Sequence, residues 1–262
     1  MLRLLDARTG SYAEVRSARP GLLRVRADVP GAAAGPEITW LRVLLVADLL
    51  ARAAELRNLQ VFTMLVADGE LARQLPAWER AADALGTRPP AGHAGSGGAS
   101  ASPDKPADVH LAGYDTWPTD DRSGLAVRVG TARIHDAGDP GTLSTDVLTG
   151  SAQDPLAVRL ALMLFPAHQP ADLTSRVLAS AHQAIGDWRR RVARWAQQPS
   201  RPIPAYLAEM ARTAFGDLDT AAAIALLRRL ADDDSVPDGA KFETFLYVDR
   251  VLGLDLPSDI GK

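Results

Sequence analysis

The chain has 262 residues, 47% of them hydrophobic and 23% charged, with a formal net charge of −3 and no cysteine. That composition excludes wholesale disorder and a collagen-like fibre, and the charge balance gives no bulk case for nucleic-acid binding. Without cysteine there are no disulfides, thiolate nucleophiles, thiolate zinc sites or iron–sulfur clusters.

The opening residues Met1-Leu-Arg-Leu-Leu-Asp lack the anatomy of a secretory signal. No apolar run reaches the roughly 18–20 residues that a membrane span needs. A cytoplasmic protein is expected. Residues 22–29 (LLRVRADV) alternate apolar and polar, the period of a half-buried strand. Pro30 to Pro36 reads as a turn. Over 39–58, Leu41, Leu44, Leu45, Leu49 and Ala53 recur at helical spacing, with Arg42, Asp48 and Arg52 elsewhere on the wheel. Residues 61–66 (VFTMLV) form a continuous apolar run that suits a buried parallel strand. Strand, helix and strand make a βαβ unit.

Residues 87–107 are rich in Pro, Gly, Ala and Ser and read as a flexible insert. Short strands follow at 108–111 and from 125 to Ile134. The expected fold class is α/β: a small Rossmann-like parallel-sheet domain over 1–150, then an antiparallel α-helical bundle over 151–262. In the second part, Asp154-Pro155 pairs an N-cap with proline at the first helical position. Leu173, Val177, Ala181, Ile185, Trp188, Val192 and Trp195 mark one long helix seam. Pro202 and Pro204 open a third helix, Asp219 or Thr220 a fourth and Asp238 a fifth, which Gly253 closes.

The common catalytic signatures are missing. There is no G-x-x-x-x-G-K-[ST] loop, no G-x-G-x-x-G after a strand, no G-x-S-x-G and no H-E-x-x-H. Asp232-Asp-Asp and Thr119-Asp-Asp read as solvated loops, and Arg189-Arg-Arg with Arg194 as a solvated stripe near a helix end.

Several segments taken together resemble cysteinyl-tRNA synthetases and the related actinobacterial cysteine ligase of mycothiol synthesis. Asp217-Leu-Asp-Thr-Ala is similar to the family's D-D-L-N/D-T-P helix start. The run from Lys241 to Asp249-Arg-Val-Leu-Gly-Leu-Asp-Leu resembles the helix that ends D-R-V-L-G-L-D-L. Asp154-Pro-Leu-Ala-Val-Arg-Leu-Ala-Leu resembles D-P-E-A-L-R-L-A-L, and Leu4-Leu-Asp-Ala-Arg-Thr-Gly resembles L-Y-D-T-x-T-G. In stopping after the helical bundle, the chain resembles the mycothiol ligase more than a full synthetase.

The resemblance implies an ATP-using crevice, and this chain departs from it there. The family's H-x-G-H-A-R block falls on Glu37 through Arg42 and its D-x-L-R-R block on Asp48 through Arg52. Arg42, Asp48 and Arg52 are kept, but both histidines are replaced, by Glu37 and Trp40, and the glycine beside adenine is Thr39. The K-M-S-K-S region reads Arg133-Ile-His135 and has no lysine. D-I-H-G-G-G-x-D resembles Asp108-Val-His110-Leu111-Ala112-Gly-Tyr-Asp115. The family's cysteine-selecting zinc ligands have no counterpart, so no metal and no cofactor are expected. The ligand-binding candidates are Trp40, Arg42, His110, Asp115, Arg133 and His135, with no catalytic residue assigned. Trp40 either plugs the former nucleotide crevice or stacks on a ligand. The expected role is a non-catalytic binding or regulatory protein. A ligase or nucleotide-dependent enzyme with a repurposed crevice, or an interaction module working through the bundle, stands as the alternative. The partner is an unidentified small molecule or protein, a homodimer is one option, and neither tRNA nor a membrane is expected.

Overall fold

The structure, a computed structural model, describes residues 1–29, 38–67, 69–95, 106–113, 124–135 and 154–262. A hairpin opens the chain, with β1 (Arg3–Asp6) antiparallel to β2 (Ser11–Glu14). The alternating segment is β3 (Leu22–Val29), followed by α1 (Ile38–Glu55) and β4 (Gln60–Ala67). β3 and β4 pair in parallel, so the βαβ unit is present. Next come α2 (Gly69–Ala84), β5 (Gly92–Gly95), β6 (Val109–Gly113) and β7 (Leu125–Val129). These five strands form one parallel sheet in the order β5-β4-β3-β6-β7. The sheet is thus doubly wound, and its strand order reverses between β3 and β6. Ligands of such sheets sit outside the carboxyl ends of the strands at this reversal.

The burial of β3 shows which face is covered. Leu23, Val25, Ala27 and Val29 are buried and face α1, while Leu22, Arg24, Arg26 and Asp28 alternate to the other face and are half-buried. The register places Val109 and Leu111 of β6 on the α1 face and His110 beside Arg26 on the other.

The second half contains β8 (Ala132–His135), α3 (Pro155–Met163), β9 (Ala171–Thr174) and α4 (Ser175–Trp195). It ends with α5 (Ala205–Gly216), α6 (Thr220–Ala231) and α7 (Asp238–Leu252). The caps follow the local chemistry. Asp154 accepts from Leu156 N at 2.9 Å, Thr174 from Val177 N at 3.3 Å, and Asp219 from Ala222 N at 2.9 Å. Gly253 ends α7 at φ +62°, the left-handed conformation that glycine adopts without steric cost. Trp188 and Trp195 of α4 meet Phe245 of α7 edge-on, at 6.1 and 5.1 Å between centroids. Buried apolar residues run from Leu2 to Leu256 in a single core, so sheet and helices share one interior.

Four local expectations need correction. The segment 151–262 is not all helix: β9 pairs in parallel with β8, and Leu173 is a strand residue. Thr174 caps the following helix, so the apolar periodicity ran across a helix start. The stretch from 125 to 134 is two strands in different sheets, broken at Gly130 and Thr131. Part of the 87–107 insert is ordered as the edge strand β5, held by Ala91 N to Thr63 O at 2.8 Å. Asp238 is the first residue of α7, and Pro237 occupies the cap position. Thr119-Asp-Asp lies outside the described residues.

Candidate functional site

The crevice at the strand-order reversal is bounded by the carboxyl ends of β3 and β6 and by the first turn of α1. That turn is spent on packing. Thr39 Oγ1 accepts from Ala132 N at 3.0 Å and donates to Ala132 O at 3.1 Å, which fastens the start of α1 to β8. The Trp40 side chain lies against Gly113, the last residue of β6. A Cβ on Gly113 would stand 2.5 Å from Trp40 Cζ3. Only a glycine therefore admits the indole this closely, and Trp40 is 7% exposed. Leu111 and Ala112 behind it are fully buried.

Arg42 is 1% exposed. Its Nη1 donates to the carbonyls of Gly130 (3.2 Å), Thr131 (3.1 Å) and Gln169 (2.6 Å), and its Nη2 to those of Phe165 (3.3 Å) and Pro166 (2.9 Å). Five convergent carbonyl dipoles replace its water. Burial pushes the guanidinium pKa down to about 10, so it stays charged at neutral pH. The side chain ties the β7–β8 link to the α3–β9 link.

His110 is 7% exposed and sits on the sheet face away from α1. Arg133 is exposed on β8. Asp115 and the His135 side chain lie outside the described residues. Trp40 and Arg42 thus share one helical turn, while His110 stands across the sheet from them.

The motif residues kept in this chain meet elsewhere, in a buried ionic knot. Asp48 Oδ2 accepts from Arg52 Nε at 2.8 Å and from Arg159 Nη2 at 2.7 Å. Its Oδ1 accepts from Arg88 Nε at 3.2 Å and Arg88 N at 3.3 Å. Arg159, at 0% exposure, also donates to Leu252 O (2.6 Å) and Leu85 O (3.0 Å). Gly253 packs against it: a Cβ there would lie 2.9 Å from Arg159 Nη2 and 3.0 Å from Arg52 Cζ. Asp249 Oδ1 and Oδ2 accept from Leu254 N (2.7 Å) and Leu256 N (3.0 Å) and fold the chain back after α7. Burial raises the Asp249 pKa, and those backbone donors only partly oppose it. Burial alone would raise Asp48 too, but the Arg159 and Arg52 charges and their hydrogen bonds outweigh it and hold Asp48 below the usual carboxylate range. Asp108, likewise part of a quoted motif, accepts from Ala18 N (2.7 Å) and Arg24 N (2.8 Å) at the start of β3.

The helical-wheel expectation that Arg42, Asp48 and Arg52 lie apart from the buried apolar stripe is therefore corrected. Arg42 and Asp48 are buried because α1 is flanked by the sheet on one side and by α7 on another. Arg159 was overlooked, although its signal was visible: it is the lone charge in an otherwise apolar α3. Among the described residues no group of three or more His, Asp or Glu residues is placed to hold a metal ion, and no helix is long and apolar enough to cross a membrane. Asp233 in the acidic loop is engaged by Ser235, and Arg189, Arg190 and Arg191 pair with Asp154, Asp187 and Asp232.

The chain is 34% identical over 115 residues to the L-cysteine:1D-myo-inositol 2-amino-2-deoxy-alpha-D-glucopyranoside ligase of Geodermatophilus obscurus. The match takes in 42% of this chain and 26% of that ligase, so it spans about a quarter of the relative's length. A Campylobacter jejuni structure described as an arginyl-tRNA synthetase superposes with a TM-score of 0.56 at 9% identity, over 90% of this chain and 91% of that one. The fold is thus one found among aminoacyl-tRNA synthetases. No family model matches the chain.

Proposed function

We propose that this chain is a cysteine-ligase-like protein that does not activate an amino acid and acts instead by binding, as an accessory or regulatory partner of a small molecule or of a protein. The observation that carries this reading is the Trp40 indole seated on Gly113 at the strand-order reversal. A nucleotide there needs open space beside the first turn of the helix and donors for its phosphates. Thr39 is locked to Ala132, Trp40 fills the gap and Arg42 gives its Nη atoms to carbonyls. Loss of one transition-state donor costs about 10²–10³ in rate, so loss of several removes adenylation from the useful range.

The retained motif residues support the same reading. Asp48, Arg52, Arg159, Asp249 and Gly253 bond to or pack on protein and keep the fold without touching the crevice. The decisive assay is cysteine-dependent ATP–pyrophosphate exchange with the purified chain. No exchange above background is expected. Exchange that vanishes on Arg133→Ala would refute the proposal and point to a working crevice. A second expectation is that tRNA shows no salt-sensitive binding at low ionic strength.

A further inference from the structure

A cavity of about 570 Å³ lies on the α1 face of the sheet at its β5 edge, two strands from the reversal point. Its apolar lining includes Leu44 of α1, Leu65 of β4, Trp78 of α2 and Pro90. Small-molecule sites have this size and this kind of surface, with a few convergent polar groups that set the ligand's chemistry. Here those groups are acidic. Glu79 and Asp83 stand one turn apart on α2 and both line the cavity. Like charges at this spacing repel. Among the described residues, Glu79 pairs with His93 Nε2 at 3.9 Å and neither carboxylate forms an ion pair with an arginine or lysine, although Arg80 shares the rim. A cation between them would relieve that repulsion. In the same wall, Trp78 Nε1 is buried with no acceptor among the described residues.

We propose that this cavity binds a small organic amine, with its apolar body against Leu44, Leu65 and Pro90 and its ammonium group between Glu79 and Asp83. The inference is independent of the crevice and of whether the chain has catalytic activity.

The test titrates the full chain with 2-phenylethylamine and, separately, with phenylacetate, followed by calorimetry. The amine is expected to bind saturably and about fivefold or more tightly than the acid, the ratio that partly exposed ion pairs supply. Glu79→Gln with Asp83→Asn removes that preference, and Ala82→Phe, which fills the cavity from α2, abolishes binding of both probes. The charge variant changes only exposed side chains, so it remains decisive if Ala82→Phe misfolds. Absence of saturable amine binding, equal affinity for the two probes, or a preference that survives Glu79→Gln with Asp83→Asn overturns the proposal.

Discussion

Replacing Asp48 by alanine tests whether the ionic knot holds the sheet half to the helical half. The carboxylate has lost nearly all contact with water, and Arg159 opposite it is fully buried. Removing Asp48 leaves the Arg159 charge with two carbonyls, Leu252 O and Leu85 O, with no ion-pair partner and only the weaker attraction of Asp249. Breaking one side of a buried pair costs about 3–5 kcal/mol. In a protein of this size each kcal/mol shifts Tm by roughly 2–4 °C, so Asp48→Ala should melt about 10 °C lower. Thermal unfolding followed by circular dichroism and by tryptophan fluorescence measures it. The double variant Asp48→Leu with Arg159→Met should be more stable than either single variant, because the fully buried Arg159 charge then leaves together with its partner. A loss below about 1 kcal/mol for Asp48→Ala, the range of an exposed pair, would refute the reasoning. The sign with pH follows from the lowered Asp48 pKa. Its contribution is present above the unfolded carboxylate pKa of about 3.9 and is lost as pH falls through the lower folded value. The wild type should therefore lose its advantage over Asp48→Ala in acid, as urea titrations at stepped pH would record. Asp249 acts with the opposite sign: its folded pKa is raised, so its contribution is present below the unfolded value and is lost as pH rises through the folded one.

Two further perturbations probe the packing. Gly113→Ala drives a Cβ into Trp40 and should destabilise by about 1–3 kcal/mol; in a Trp40→Ala background the same change should cost little, and urea unfolding of the four proteins reads the coupling. Gly253→Ala meets both a left-handed φ, worth roughly 1–2 kcal/mol, and the crowded guanidinium groups of Arg52 and Arg159. Its unfolding midpoint should fall further than that of Gly21→Ala, which has a similar φ but open space around it.

Much of the first half was legible because its signals are local. The alternation at 22–29, the helical spacing from Leu41 to Ala53 and the apolar run at 61–66 each dictate one element, and all three formed within a few residues of their expected ends. The caps at Asp154 and Asp219 were equally local. Elements that depend on a neighbour from far along the chain were not legible. Residues 171–174 became a strand because β8 offers a parallel edge, and Gly92–Gly95 became a strand because β4 does. GHAG carries no β-branched or alternating pattern, and ADLT alternates but runs straight into the helix that Thr174 caps, whose spacing masks it.

The candidate site divides in the same way. Sequence alone determined that this chain has no cysteine and so no thiolate chemistry, and that a βαβ unit precedes a largely helical half. Those conclusions need only residue identity and spacing. Tertiary structure decided what the remaining motif residues do. Arg42, Asp48 and Arg52 are polar, and a helix wheel sends polar residues to water. In the folded chain α1 is enclosed, so their charges have to be met by carbonyls and by Arg159 rather than by solvent. That partnership joins residues 111 positions apart in sequence, and no local pattern encodes it.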